Sequence, residues 1–224
     1  MKSIFLGDRN ADICLVQAAD AQDQTFLEEE FAMIQSAFPE IPLMMAALLV
    51  DDWNRDLSPW PAPAVFGKDG FGDGAKNTLN VIITELLPKI QTEWLAKEKK
   101  LRYIIGGYSL AGLFALWSVY QTDCFSGCAA MSPSVWFPDW IRYACEHLAL
   151  ADVIYLSLGK KEEKTRNPVM ARVGECIVKQ HELLAERQVC LEWNEGNHFT
   201  DPEGRCTKGF VWCVRQLMEG GALT

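Results

Sequence analysis

The sequence predicts an α/β fold in which a mostly parallel, twisted sheet carries helices on both faces. Short apolar segments alternate along the chain with longer segments of helical periodicity, as in repeated βαβ units. The central apolar segments are continuous rather than alternating, which is typical of strands covered on both faces. We expect the 224 residues to form one domain, residues 1–224.

The predicted elements fill most of the chain. The strands are predicted at Ile4–Leu6 (an edge strand), Ile13–Ala18, Leu43–Val50, Tyr103–Gly106, Gly127–Met131, Val153–Leu158 and Val189–Trp193. The helices are predicted at Gln24–Phe38, Ala75–Ala96, Leu110–Gln121, Asp139–Leu150, Pro168–Arg187 and Thr207–Met218. The segment 51–74 is rich in proline and glycine and is predicted to be one long functional loop.

The net charge and the apolar runs of the chain disfavour some classes of binding partner and some cellular locations. The net charge is −9, which disfavours nucleic acid or an anionic membrane as a partner because both repel an acidic surface. The longest apolar run, Pro42–Val50, is far shorter than the ~20 residues of a membrane helix. The first ten residues lack the apolar core of a signal peptide, so we expect a cytoplasmic protein.

The cysteines and histidines do not form a metal-binding pattern. The eight cysteines include no Cys-x-x-Cys pair, and no histidine lies at zinc-ligand spacing from them. Most of the cysteines fall in apolar segments, where they are expected to be small, buried, reduced side chains. We therefore expect no metal and no cofactor.

The segment 102–117 carries the most specific motif. A short apolar run meets Gly106 and Gly107, Ser109 follows, and an apolar run of helical length begins at Leu110. This order is typical of a nucleophile elbow, a sharp strand-to-helix turn that exposes a serine hydroxyl. The backbone N–H of Leu110 would then face the reacting carbonyl. Taken alone, the motif is also compatible with Ser109 as a simple helix N-cap.

His198 is the histidine best placed to activate such a serine. The other two, His147 and His181, lie within predicted helices. His198 follows the last predicted strand in a Gly-Asn-His turn, where a hydrolase of this kind holds its general base. The alternative is a polar loop histidine without a catalytic role.

The acid of a Ser-acid-His order is expected after the penultimate strand. Glu162 and Glu163 are the carboxylates there, in a Lys-Lys-Glu-Glu-Lys run. Either one would hold the imidazole in one tautomer, and Glu162 is preferred. A run of mixed charge is equally typical of a solvated loop, so the choice of Glu162 over Glu163 stays open.

Taken together, these motifs resemble the Putative esterase family of α/β hydrolases, which includes enterochelin-type siderophore esterases, S-formylglutathione hydrolase, and feruloyl and acetyl esterases. The resemblance spans nearly the whole chain. It rests on Asn54-Arg55 with Leu57-Ser58-Pro59, Glu85-Leu-Leu-Pro88, Gly107-Tyr-Ser-Leu-Ala-Gly112, Ser132-Pro-Ser-Val-Trp136, Leu156-Ser-Leu-Gly159 with Glu162, and Gly196-Asn-His198. The chain departs from the family at Ala111, where the usual residue is glycine, and it is too short for a lid domain.

The resemblance implies an α/β-hydrolase fold and a role for each motif residue. Ser109 would be the nucleophile, His198 the base and Glu162 the acid. The loop after Leu43–Val50 would supply a second oxyanion donor, the backbone N–H of Asp52 or Trp53, of which Trp53 is preferred.

Aromatic residues flank these motifs and suggest a substrate pocket. Tyr108 and Trp136 adjoin the motifs and are the preferred pocket residues. Core packing is the alternative for the wider set, which is Trp53, Trp60, Tyr108, Trp136 and Phe137.

We therefore expect a serine hydrolase that cleaves small-molecule carboxylic esters through an acyl-enzyme. A thioesterase or a siderophore-type trilactone hydrolase is the alternative within the same chemistry. A catalytically silent scaffold that binds a ligand or partner is the alternative outside it.

Overall fold

The computed structural model describes residues 1–20, 22, 24–65, 67–97 and 99–220. Within them the strands are β1 Lys2–Gly7, β2 Ile13–Asp20, β3 Leu43–Val50, β4 Arg102–Tyr108, β5 Gly127–Met131, β6 Val153–Gly159 and β7 Gln188–Asn194. They form one sheet in the order β1-β3-β2-β4-β5-β6-β7. Strand β1 is antiparallel to β3, and the other neighbouring pairs are parallel.

Helices cover both faces of this sheet. They are α1 Gln24–Ser36, α2 Trp53–Asp56, α3 (residues 75–94), α4 Ser109–Ser118, α5 Trp140–Glu146, α6 Val173–Leu183 and α7 Pro202–Gly220. Buried side chains of α1 and α7 pack on one face, and those of α3 to α6 pack on the other. The predicted α/β fold is confirmed, and in the described part of the chain no inserted lid domain interrupts it.

The predicted strands are confirmed, with ends that differ by at most two residues. The helices differ more. The predicted helix Asp139–Leu150 spans only Trp140–Glu146, because Asp139 before it has a left-handed backbone (φ 62°) and His147 after it has an extended one (φ −130°, ψ 158°). The helix predicted at Pro168–Arg187 spans only Val173–Leu183. Before it, Asn167 Oδ1 accepts from the N–H groups of residues 169 and 170, and a separate 3₁₀ turn occupies Met170–Arg172.

The long helix predicted from Ala75 is not a regular α-helix. It runs as α-helix Ala75–Val81, π-helix Ile82–Leu86, one α-turn Leu87–Lys89 and π-helix Ile90–Trp94. Pro88 lies between the two π segments. Proline has no N–H to donate and crowds the carbonyl four residues earlier, so wider turns on either side accommodate it.

The parallel strands bring their carboxyl ends to one edge of the sheet. Ser109 directly follows β4, Glu162 lies three residues beyond β6, and His198 lies four residues beyond β7. Helix α2, which begins at Trp53, follows β3 at the same edge. The fold therefore collects residues that are far apart in sequence, as expected for a sheet of this type.

Glycines pack tightly against neighbouring backbone in the turn between β4 and α4. A Cβ atom built on Gly107 would lie 2.8 Å from the backbone carbon and the Cβ of Ala111. A Cβ on Gly112 would lie 2.8 Å from the carbonyl oxygen of Gly107. Since both the backbone and the methyl group of Ala111 lie this close, position 107 has no room for a side chain.

Replacing Gly107 with alanine is therefore expected to lower the free energy of unfolding by about 1–3 kcal/mol, the usual cost of overpacking. Urea denaturation of the wild type and the variant measures this difference. Gly127→Ala in β5 is the matched control, since a Cβ there would meet its nearest atom at an ordinary 3.4 Å. Equal losses in the two variants would contradict the packing argument.

Candidate active site

Ser109 occupies a strained turn at the start of α4. Its φ angle is 58°, in the left-handed region that residues other than glycine rarely adopt. The preceding residue, Tyr108, provides no side-chain cap for the helix. The N–H groups of the first helical turn, including that of Leu110, therefore have no partner within the helix and form its electropositive end.

Ser109, His198 and Glu162 form a continuous line of hydrogen bonds. The Nε2 atom of His198 lies 3.0 Å from Ser109 Oγ, and its Nδ1 atom lies 2.8 Å from Glu162 Oε2. A carboxylate only accepts hydrogen bonds, so Nδ1 carries the proton in the neutral ring. Nε2 is then the acceptor that faces the serine hydroxyl.

Glu162 is buried and fully hydrogen-bonded, with its side chain only 4% exposed. Its Oε1 atom accepts from the Ser132 hydroxyl at 2.7 Å, from the Gly159 backbone N–H at 2.7 Å and from Arg205 at 2.8 Å. Burial raises the pKa of Glu162, but the hydrogen bond and charge interaction with His198, together with the hydrogen bonds from Ser132 and Gly159, outweigh it and leave the pKa below its usual range. The carboxylate is therefore ionised at neutral pH.

The neighbouring Glu163 takes no part in this arrangement. Its side chain is exposed and lies beside Gly174 of α6. The sequence does not decide between the two glutamates, but their environments differ: Glu162 is buried and Glu163 is exposed. The carboxylate of Glu162 is the one hydrogen-bonded to His198.

Arg205 is the largest charged side chain at the site, and the sequence analysis missed it. Its side chain, on the first turns of α7, is only 1% exposed. The residue belongs to a stripe of buried positions at helical spacing: Arg205, Cys206, Gly209, Phe210, Cys213 and Val214. A cation on an apolar stripe is the signal that could have found it, but the predicted helix began two residues later, at Thr207.

Tyr108 lies between Arg205 and the histidine loop. Its hydroxyl accepts from Arg205 Nη1 at 3.0 Å and donates to the backbone carbonyl of His198 at 2.7 Å. Burial raises the pKa of Tyr108 to about 12, so the hydroxyl keeps its proton at neutral pH. Tyr108 lines a second cavity of about 210 Å³, which also borders Ser109 and Trp53.

An apolar cavity of about 370 Å³ opens beside Ser109 and His198. The rest of its lining is Trp53, Asn54, Phe71, Leu110, Ser134, Trp136, Met170 and Phe199. Trp136 lies in this cavity, as the sequence analysis expects for a pocket residue. Trp60 and Phe137 belong to the packed aromatic cluster behind it, which also contains Trp140 and Tyr143. Phe71, Met170 and Phe199 had no motif that could have identified them.

The loop after β3 is organised by a buried aspartate. Asp56 accepts from the backbone N–H groups of Asp51 and Asp52 at 3.2 and 3.0 Å, and Arg55 neutralises it. The N–H of Asp52 is thus already engaged. Trp53 is the first residue of α2, so its N–H has no acceptor within that helix.

The described residues offer neither a metal-ligand cluster nor a membrane-spanning helix. No group of three or more His, Cys, Asp or Glu side chains there is arranged to hold a metal ion. None of the helices combines the length and apolarity needed to cross a bilayer. The cysteines are free thiols, five of them buried.

Solved structures share this fold. The siderophore hydrolase EstA from Aspergillus nidulans superposes with a TM-score of 0.73 and 19% identity, covering 94% of this chain and 84% of its own. An IroE-like serine hydrolase from Shewanella oneidensis superposes with a TM-score of 0.73 and 16% identity, and the match covers 94% of this chain and 74% of the hydrolase. The enterobactin esterase FES from Shigella flexneri, solved in the presence of enterobactin, superposes with a TM-score of 0.68 and 16% identity. The match covers 96% of this chain and 55% of FES.

The TM-scores establish the shared fold, and the sequence comparison supplies the family. No curated protein sequence matches the chain significantly. The model of the Putative esterase family matches residues 49–189, which include the serine turn and the glutamate turn. The chain therefore belongs to the Putative esterase family of carboxylic ester hydrolases with the α/β-hydrolase fold.

Proposed function

We propose that this protein hydrolyses carboxylic esters by a Ser109-His198-Glu162 triad through an acyl-enzyme. The observation that carries the proposal is the line of two hydrogen bonds, 3.0 Å from Ser109 to His198 and 2.8 Å from His198 to Glu162. A serine hydroxyl is a weak nucleophile unless a base takes its proton, and this line supplies the base and its orienting partner.

The chemistry proceeds in two steps. Ser109 Oγ attacks the ester carbonyl as its proton passes to His198 Nε2. The tetrahedral intermediate then collapses, the bond to the alcohol oxygen breaks, and His198 returns the proton to the departing alcohol. Water repeats the sequence on the acyl-enzyme, which releases the acid and frees Ser109. The ionised Glu162 stabilises His198 while the ring is protonated.

The negative oxygen of each intermediate needs hydrogen-bond donors. We assign the backbone N–H groups of Leu110 and Trp53 to this role. Leu110 supports it because its N–H belongs to the unpartnered first turn of α4, next to Ser109. Trp53 supports it because it lines the same cavity as Ser109 and Leu110, whereas the N–H of Asp52 is already bound by Asp56.

The apolar cavity favours an ester with a hydrophobic or aromatic group. Its volume of about 370 Å³ is enough for a group of that kind, and two tryptophans, Trp53 and Trp136, line it. Two similar structures, EstA and FES, are a siderophore hydrolase and an enterobactin esterase. A siderophore-type trilactone and a thioester are therefore included as substrates in the test.

Hydrolysis of p-nitrophenyl acetate, a p-nitrophenyl aromatic ester, a thioester and a trilactone tests the proposal. Ser109→Ala is expected to lower kcat by about 10⁴-fold or more, the usual loss for a triad nucleophile. Glu162→Gln is expected to lower kcat by about 10³–10⁴-fold, because the amide no longer holds the right tautomer.

Glu163→Gln is the matched control and is expected to keep the wild-type rate, because Glu163 is exposed. Equal rates for the two glutamine variants would remove Glu162 from the triad. A wild-type protein that turns over none of the four substrates would favour the silent binding scaffold.

The second oxyanion donor has its own test at Trp53. Proline is tolerated at the first position of a helix, and Asp52 before it has the extended backbone that a following proline requires (φ −140°, ψ 106°). Trp53→Pro removes both the indole and the N–H, whereas Trp53→Ala removes only the indole. We expect kcat of the proline variant to be about 10²–10³-fold below that of the alanine variant.

Steady-state kinetics on p-nitrophenyl acetate measures this difference, and circular dichroism checks that both variants fold. Equal kcat values would mean that the second donor is a group other than the Trp53 N–H.

A further inference from the structure

We propose that Arg205 is a positioning residue that aims Glu162 at His198 and ties the glutamate turn to the histidine loop. This inference rests on the proposed triad. It adds a residue from α7 that neither the sequence motifs nor the matched segment 49–189 contains.

The guanidinium contacts the carboxyl ends of four adjacent strands. Its Nη1 atom lies 2.8 Å from Glu162 Oε1 beyond β6, 3.0 Å from the Ser132 hydroxyl after β5 and 3.0 Å from the Tyr108 hydroxyl at the end of β4. Its Nη2 atom donates to the carbonyls of Glu195 and Asn197 beyond β7, both at 2.9 Å. The same side chain thus holds the glutamate and the loop that carries the histidine.

The contacts on Glu162 determine which of its oxygens faces the histidine. Oε1 is occupied by Arg205, Ser132 and the Gly159 N–H, which leaves Oε2 for His198. A carboxylate held in this way cannot rotate away from His198 without breaking three hydrogen bonds. The bond from the guanidinium is charge-assisted, and such bonds are roughly twice as strong as neutral ones.

The backbone of the histidine loop is held at the two carbonyls that flank the His198 Cα atom. Arg205 binds the carbonyl of Asn197, directly before His198, and Tyr108 donates to the carbonyl of His198 itself. Glycine at 159 allows this close approach, because a Cβ there would lie 2.8 Å from Arg205 Nη2 and 2.9 Å from Glu162 Oε1. A residue with a side chain at position 159 would therefore push Arg205 and Glu162 apart.

Lysine cannot replace arginine at this position. The guanidinium is a rigid planar fork that serves acceptors on two sides, whereas an ammonium is a single compact charge on a flexible stem. Arg205→Lys keeps the positive charge beside Glu162 but cannot reach the glutamate and the two carbonyls of the histidine loop together. It therefore tests positioning rather than charge.

A double-mutant cycle between Arg205→Lys and Glu162→Gln tests the inference. In the wild-type background, Arg205→Lys is expected to lower kcat for p-nitrophenyl acetate by about 30-fold with KM within about twofold. In the Glu162→Gln background it is expected to lower kcat by less than about fivefold, because the carboxylate that it aims is already gone. Arg215→Lys, on the same helix but over the Phe38 ring, is the control and keeps full activity.

Thermal unfolding accompanies each variant, so that a folding defect is recognised. If Arg205→Lys does not fold, Tyr108→Phe takes its place, since it removes the hydroxyl that links Arg205 to the carbonyl of His198. That variant is expected to lower kcat by about 3–10-fold with KM unchanged.

The outcomes separate this inference from the triad itself. A wild-type kcat in Arg205→Lys, or the same fold-loss in both backgrounds, overturns the positioning role while the triad stands. A loss confined to KM also overturns it. If Ser109→Ala hydrolyses esters as fast as the wild type, the proposed function fails first, whatever Arg205 does.

Discussion

The left-handed backbone of Ser109 is the constraint on which the rest of the site depends. A φ of 58° at a residue other than glycine costs about 1–3 kcal/mol, so surrounding structure must enforce it. Two features of the surrounding structure hold this turn: Gly107 and Ala111 pack too closely for a methyl group at position 107, and the Ser109 carbonyl accepts a hydrogen bond from the Ser134 N–H at 3.0 Å. The turn directs the serine hydroxyl outward and leaves the first N–H groups of α4 beside it. A regular helix start would have pointed the same side chain back at the helix as a cap.

Beside the serine turn lies a small charged cluster, formed by Glu162 and Arg205, which holds His198. Glu162 and Arg205 are both buried and are paired at 2.8 Å, so their charges largely balance while His198 is neutral. Burial of such a pair carries a large desolvation cost. The hydrogen bonds that Glu162 accepts from Ser132 and Gly159, and those that Arg205 donates to carbonyls of the histidine loop, offset it. In the proposed reaction His198 takes a proton, and the cluster then gains one positive charge close to the oxygen that becomes negative. The serine turn and the charged cluster therefore act on opposite ends of one hydrogen-bonded line.

Local patterns explain why much of this could be predicted. Continuous apolar runs identified the strands, and the glycine-flanked turn identified Ser109, because both signals lie within a few consecutive residues. The choice between Glu162 and Glu163 required the structure, since adjacent residues in one turn differ only in the direction in which each side chain points. The role of Arg205 could not be predicted from the sequence, because it depends on contacts with the ends of four strands that are far apart in the chain. The cavity residues Phe71 and Met170 come from separate loops, and no spacing in the sequence relates them.

The central claim is that Ser109 forms a covalent bond to its substrate with the help of His198. Incubation with a fluorophosphonate, followed by intact-mass spectrometry and peptide mapping, tests it most directly. The account predicts one adduct per chain, located on Ser109 and formed far more slowly in His198→Ala. An adduct on another residue, or an active wild-type enzyme that the fluorophosphonate does not label, would contradict it.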